Sequence, residues 1–283
     1  MRKQILAFTG ALVLSAIPGT VLAAPAQQAQ SAAPAAQAGQ PHPKSQKEVD
    51  GLKKVQAAAQ ANDAAAELQA INEVLENFAD TEYKPMLLQM AMDAAQRQGD
   101  FPQTTLWGDR VLQSDPGNIP ARVMLAEVTA QHTRENDLDK DQSIKKVEDY
   151  ANKSLDLLKT ANTPPAGMPE AQWPDYKKQL TSQSYDALGQ AAELKKNYPD
   201  AVKNFQSAID AQPANPVPMA RLAKAYRENK QYDQAISTAD KVLAMNEVPA
   251  SIKSFAQTEK DNATKLKGAT ASAPAPAPAA APK

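Results

Sequence analysis

The chain of 283 residues contains no cysteine, which excludes disulfides, thiol catalysis, thiolate metal sites and the acylated cysteine of a lipoprotein. Aromatic residues make up only 5%, and the 10 glycines are outnumbered by 22 prolines. That balance suits closely packed helices separated by proline turns and argues against a glycine-rich β fold. Charge of one sign is also missing: the formal net charge is -1, without the basic excess that draws a protein to nucleic acid. Histidine occurs twice, at His42 in a low-complexity stretch and at His132 near a predicted helix end. Two separated histidines make neither a zinc site nor a triad, so both read as solvated surface positions. No glycine-rich phosphate loop, nucleophile elbow or HExxH pattern is present. The reading is therefore non-enzymatic, with no metal and no cofactor.

What is present begins with an address. Arg2 and Lys3 precede the apolar run from Ile5 to Ile17, then Pro18, Gly19 and the small residues around Ala23. This is the pattern of a secretory signal peptide over residues 1–23, with cleavage after Ala23 or Ala24. A spanning helix of about 20 apolar residues would have to pass through Pro18 and Gly19, so no stable membrane insertion is expected after cleavage. Removing residues 1–23 leaves 29 basic against 32 acidic residues. The expectation is an exported protein of the periplasm, with an extracellular one as the other destination.

Residues 24–46 are Ala, Gln, Pro and small polar residues and read as a disordered linker; residues 268–283 alternate Ala and Pro and read as a disordered, extended tail. Between them, residues 47–267 show helical periodicity throughout. Within this body, NYPDAVKNFQSAIDAQPANP (197–216) returns as QYDQAISTADKVLAMNEVPA (231–250) at a separation of 34. Tyr185, Leu188 and Gly189 lie on one predicted helix, Tyr198, Ala201, Phe205 and Ala208 on the next, and Pro213 ends it. Small residues at Gly189 and Ala201 would let the two axes approach closely.

These eight residues resemble the signature of the tetratricopeptide repeat. The copy at 216–249 repeats it with Leu222, Ala223, Tyr226, Tyr232 and Ala235, but departs at Met219, Ala239 and Glu247. Upstream of 182–215 the pattern fades. Gly99-Asp100-Phe101, Val111 and Pro116 keep repeat spacing, while Thr104 and Gly108 replace the expected small and aromatic residues. Residues 119–159 read as a hairpin with a long connector, TRENDLDKDQ, and residues 47–78 as an alanine-rich helical pair whose register is not read from the sequence. Ile252, Phe255, Ala256, Ala263 and Leu266 fall largely along one side of a final helix, as a capping helix requires.

The expected fold is therefore all-α: an α-solenoid of stacked antiparallel hairpins with a C-terminal capping helix, in which each hairpin buries its neighbour's apolar face. The resemblance implies a protein or extended-peptide partner held on the first helix of each hairpin. The positions are Asp186, Gln190 and Glu193, then Ala220, Lys224 and Arg227. Family members that clamp a peptide carboxyl terminus use Lys and Asn there, so Asp186 and Gln190 speak against that ligand. Some exported relatives serve envelope assembly, secretion or division. The alternative is a structural spacer that self-associates through its ends into a homo-oligomer.

Three further features have a functional and a structural reading. Asp137, Asp139 and Asp141 lack the glycine and distal Glu of a calcium hand and read as a charged connector. Trp107, beside Val111, reads as core. Trp173, in a proline-rich loop, reads as a staple of that loop onto the helices in preference to an exposed partner contact.

Overall fold

The computed structural model describes residues 41–165 and 168–271; the expected signal peptide, most of the expected 24–46 linker and the tail beyond 271 lie outside them. Among the described residues there are eleven α-helices and no strand. The chain divides into two compact units between Pro116 and Gly117. The first holds α1 (Gln46–Gln60), α2 (Ala64–Asn77), α3 (Lys84–Gln98) and α4 (Phe101–Ser114). The second holds α5 (Ile119–His132), α6 (Lys140–Thr160), α7 (Trp173–Leu194), α8 (Tyr198–Ala211), α9 (Pro216–Glu228), α10 (Tyr232–Ala244) and α11 (Ala250–Ala271). Consecutive helices within each unit pack on one another as antiparallel hairpins, the α-solenoid arrangement expected from the repeat.

Polar residues set the helix starts. Ser45, Asp63, Asp100, Asn118, Asn197 and Asn215 each accept a hydrogen bond from a backbone N–H of the first turn that would otherwise lack a partner. Proline occupies the first turn of α3, α4, α5, α7, α8 and α9, where its missing N–H costs nothing. The high proline content thus punctuates helices without breaking them.

Four hairpins share one turn. Asn62, Gly99, Lys196 and Lys230 all sit in the left-handed region, with φ of 54°, 71°, 59° and 61°. Each bonds its N–H to the carbonyl three residues back, and the next residue bonds five back, as in Lys196 to Glu193 with Asn197 to Ala192. This is the left-handed helix ending that satisfies the last carbonyls of the first helix. Lys196 and Lys230 are 34 residues apart, so the turn fixes the sequence repeat in three dimensions. It also supplies the register of the alanine-rich pair α1–α2.

Counting from that turn, the same two register positions recur in each hairpin: Val55 and Ile71, Met92 and Gly108, Gly189 and Phe205, and Ala223 and Ala239. All are buried. A methyl group added at Gly189 would collide with the Phe205 ring, which confirms the close axial approach. Ala201, Ala208, Leu222, Ala223 and Ala235 are likewise buried, while Tyr185, Leu188, Tyr198, Tyr226 and Tyr232 are half-buried and Pro213 is exposed after α8.

The α5–α6 hairpin lacks this turn and uses the connector 133–139, in which Asp137 accepts from the Arg134 N–H at 2.7 Å. Trp173 is 7% exposed and packs with Val123, Leu158, Met168 and Leu180, so it joins the loop residue Met168 to α5 and α6. Trp107 is 2% exposed, with the Arg110 guanidinium 4.6 Å from its ring centre.

Two boundaries differ from the composition-based ones. Residues 41–45 fall in the low-complexity linker by composition, yet the Tyr83 hydroxyl donates to the Pro41 carbonyl at 2.7 Å, and Lys44 reaches Asp80 at 2.6 Å. Glu48, fully buried, accepts from the Thr81 hydroxyl at 2.6 Å and the Lys44 N–H at 2.6 Å, so the segment is tied down by polar contacts that composition does not reveal. At the other end α11 runs to Ala271. Its buried face keeps Ala256 and Ala263 of the expected stripe, with Ile252 packed on the same cluster, and adds Glu259, whereas Phe255 and Leu266 are 37% and 39% exposed. Burying Glu259 is possible because Arg227 meets it.

Candidate functional site

The first helices of successive hairpins in the second unit, α5, α7 and α9, together with the cap α11, present one side of the stack. Direct packing joins α5 to α7 and α9 to α11. Between α7 and α9, Ala192 shares an apolar cluster with Leu222 and Ala225, and ion pairs add to it. Asp186 Oδ2 takes a hydrogen-bonded ion pair from Arg221 and a hydrogen bond from Gln190 Nε2 at 3.1 Å. Glu193 pairs with Lys224 at 3.1 Å. One hairpin further, Arg227 Nε meets Glu259 Oε2 at 2.5 Å and its other nitrogen meets Glu228 at 3.0 Å.

The five residues singled out from the sequence, Asp186, Gln190, Glu193, Lys224 and Arg227, are therefore brought onto one continuous face. Their charges are spent on one another or on Arg221 and Glu259, which sequence reasoning did not select. The missed signal was spacing: each acidic residue and its partner lie 31 to 35 residues apart, about one repeat. Ala220, placed on this face by the repeat register, is 3% exposed and belongs to the apolar cluster under α11 with Ala223, Ala239, Val242 and Ala256.

Burial outweighs pairing in the acids of this face. It raises the Asp186 carboxyl above its ordinary range against the opposing pull of Arg221 and Gln190. It raises Glu193 likewise against Lys224. A third carboxylate, Glu127 on α5, accepts from Gln183 Nε2 at 3.2 Å. Burial pushes it up to about 7, with the charge of Asp186 adding to the effect and Arg221 and Gln183 opposing it.

A cavity of about 270 Å³ opens on this face where α5, α7 and α9 end. Ala130, Leu194 and Tyr198 supply apolar surface, and Gln190, Glu193 and Lys224 supply polar groups. Its mouth carries the exposed pair Lys196–Glu135. In the first unit a separate cleft of about 460 Å³ lies between α1 and α2, beside Gly51, Lys54, Glu73 and Phe78.

Nothing on either face is arranged as a catalytic constellation. His132 Nδ1 lies 2.9 Å from the Val128 carbonyl at the end of α5, and His42 is engaged through its backbone N–H with Glu82 at 2.9 Å. Among the described residues no group of three or more His, Asp or Glu is placed to hold a metal ion. Nor is any described helix long and apolar enough to cross a membrane.

Residues 192–254 match the family model of the tetratricopeptide repeat, which covers α8, α9, α10 and their turns. No curated protein matches the chain. Among solved structures, a thermophilic tetratricopeptide protein of Thermus thermophilus superposes with a TM-score of 0.52 at 12% identity, over 75% of this chain and 98% of that one. The MamA protein superposes with a TM-score of 0.51 at 14% identity, over 71% of this chain and 98% of that one. Residues 192–254 thus match the tetratricopeptide repeat, and the helical fold is shared with these proteins.

Proposed function

We propose that the protein is an exported scaffold or adaptor that holds a protein or extended peptide along the inner face of α5, α7 and α9. The observation that carries this reading is the cavity at the end of those helices. It combines the Tyr198 ring and the Ala130 and Leu194 side chains with the polar groups of Gln190, Glu193 and Lys224, the mixture of apolar surface and fixed polar groups that a peptide segment requires. The Asp186–Arg221, Glu193–Lys224 and Arg227–Glu259 pairs hold the face in shape before a partner arrives. A preformed face spares the cost of ordering on binding. Export rests on the pattern of residues 1–23, and places the work in the envelope, in assembly, secretion or division.

Photo-crosslinking residues placed in cells at the exposed positions Glu135 and Lys196, and as controls at Gln206 and Lys241 on α8 and α10, test this reading. A heterologous adduct formed from the cavity positions and not from the controls is the expected result. Equal labelling from all four positions would sink it.

A second reading, a spacer that self-associates through its ends, draws support from the exposed Phe255 and Leu266 on α11. Adducts between copies alone, together with a mass that rises with concentration in light scattering, would select it.

A further inference from the structure

On the reading of the inner face as a partner-binding surface, we infer that the segment it selects carries a basic side chain, arginine or lysine, and that Glu127 is the carboxylate that receives it. Glu127 differs from its neighbours. Asp186 and Glu193 on α7 each have a cation from α9, whereas the contact of Glu127 is the neutral amide of Gln183, and no ion pair of Glu127 exists among the described residues.

The buried groups beside it reinforce the imbalance. Asp186 is 5% exposed, and while its Oδ2 takes both Arg221 and Gln190, its Oδ1 has no partner and is shielded from solvent. Ser182, one turn earlier on α7 and fully buried, also has an unpartnered hydroxyl. Glu193 Oε1 is in the same condition. Asp186 and Glu193 are balanced by Arg221 and Lys224, so the unfilled hydrogen-bond acceptors are theirs and the carboxylate without a countercharge is Glu127. Glu127 and Glu193 are both half-buried and within reach of a visiting side chain, but Glu193 already holds Lys224, so Glu127 is the one of the two without a cation.

Position agrees with charge. Ala130, which lines the cavity, lies three residues after Glu127 on α5, and Gln190, which also lines it, lies four after Asp186 on α7. On a helix those spacings put Glu127 and Asp186 one turn along the same face, so a chain resting in the cavity can lay a neighbouring side chain across Glu127. An acidic side chain there would meet carboxylates whose lysine and arginine partners are already engaged. A guanidinium or ammonium meets an unfilled acceptor, and the favourable pairing comes with discrimination against the opposite charge.

The test is selection of random twelve-residue peptides displayed on phage against the full chain, followed by fluorescence anisotropy on the selected peptides, their Arg or Lys→Gln versions, and the Glu127→Gln protein. Glu127→Gln preserves shape and leaves Arg221 paired, so folding is retained, as circular dichroism would verify. The expected result is enrichment of peptides with a basic residue, a loss of about tenfold or more when that residue becomes Gln, and disappearance of that difference in Glu127→Gln. Selected peptides without basic enrichment, or a basic preference untouched by Glu127→Gln, overturn the inference and leave the groove reading standing. Recovery of no peptide at all overturns both.

Discussion

The ring of Phe205 lies against the α-carbon of Gly189, and 34 residues later Ala239 and Ala223 occupy the same two positions. The aromatic lost from the second copy is matched by a methyl gained on the facing helix. In α3 and α4 the exchange goes further: Met92 fills the position of Gly189, and Gly108 that of Phe205. Each hairpin keeps the volume between its helices filled, but distributes it differently.

Phe205→Ala is accordingly expected to cost about 3–5 kcal/mol of stability by leaving a cavity. Gly189→Ala is expected to be destabilising through collision with the ring. The double variant imitates the Ala223–Ala239 arrangement and should lose clearly less than the sum of the single losses, because the new methyl occupies part of the space the ring leaves. Urea unfolding of the three variants measures this coupling, and strict additivity would refute the shared-volume account.

The same exchange explains which parts of the fold could be read from the sequence. Residues 182–215 keep large and small residues where the repeat pattern expects them, and 216–249 keep enough of them, despite Met219, Ala239 and Glu247, for both hairpins to be legible. In α3–α4 the pattern looks eroded at Thr104 and Gly108, because single positions were read without their partners across the hairpin. In α1–α2, Glu67 stands where Ala201 stands later; its burial is tolerated because Arg97 on α3 pairs with it. The inner face was legible as a set of positions. Its ion pairs were not, since Arg221 and Glu259 become visible as partners only once one repeat is stacked on the next. On α11 the buried Glu259 was missed for the same reason, while Ala256 and Ala263 lie on the buried side as read.

The shared turn gives a second expectation. Lys230 holds a left-handed backbone conformation that costs a side-chain-bearing residue roughly 1–2 kcal/mol, and it is exposed. Lys230→Gly should raise stability by about 0.5–1 kcal/mol, the strain relieved exceeding the flexibility added to the unfolded chain. Gly99→Ala should lower it by a similar amount. Thermal unfolding decides the point, and a Lys230→Gly protein less stable than the parent would count against the turn assignment.

The cap rests on the pair Arg227–Glu259, whose side chains are 16% and 6% exposed. Removing Glu259 leaves Arg227 only Glu228, at 3.0 Å, so the loss should fall below the ~3–5 kcal/mol typical of a buried charge left wholly unpaired. Glu259→Leu should therefore loosen α11, seen as faster amide exchange along it, and Arg227→Met added to it should recover most of the loss. Charge reversal of Lys224 and Arg227 would break the pairs with Glu193 and Glu259 at once and disturb the face itself. Exposed positions such as Glu135 and Lys196 are the safer reporters. Equal exchange rates along α11 in the parent and Glu259→Leu would show that the pair contributes nothing.

The final expectation concerns Glu127. In the unfolded chain a glutamate titrates near 4.3, while burial beside Asp186 pushes Glu127 up to about 7 in the fold. Between those values the folded protein holds a proton that the unfolded chain has released, so this group makes stability fall as pH rises from about 4.5 to about 7. Asp186 and Glu193 shift in the same direction, but they are present in both proteins of the comparison and cancel. Glu127→Gln has no such titration. The melting temperature of the variant minus that of the parent should therefore increase from about pH 4.5 to about pH 7 and level off above that. A basic side chain bound at Glu127 would hold it ionised, so peptide affinity should strengthen over the same interval and proton release should accompany binding below pH 7. A constant melting difference across that range would mean that Glu127 is solvated like any surface carboxylate, and the inner face would lose the uncompensated carboxylate inferred for it.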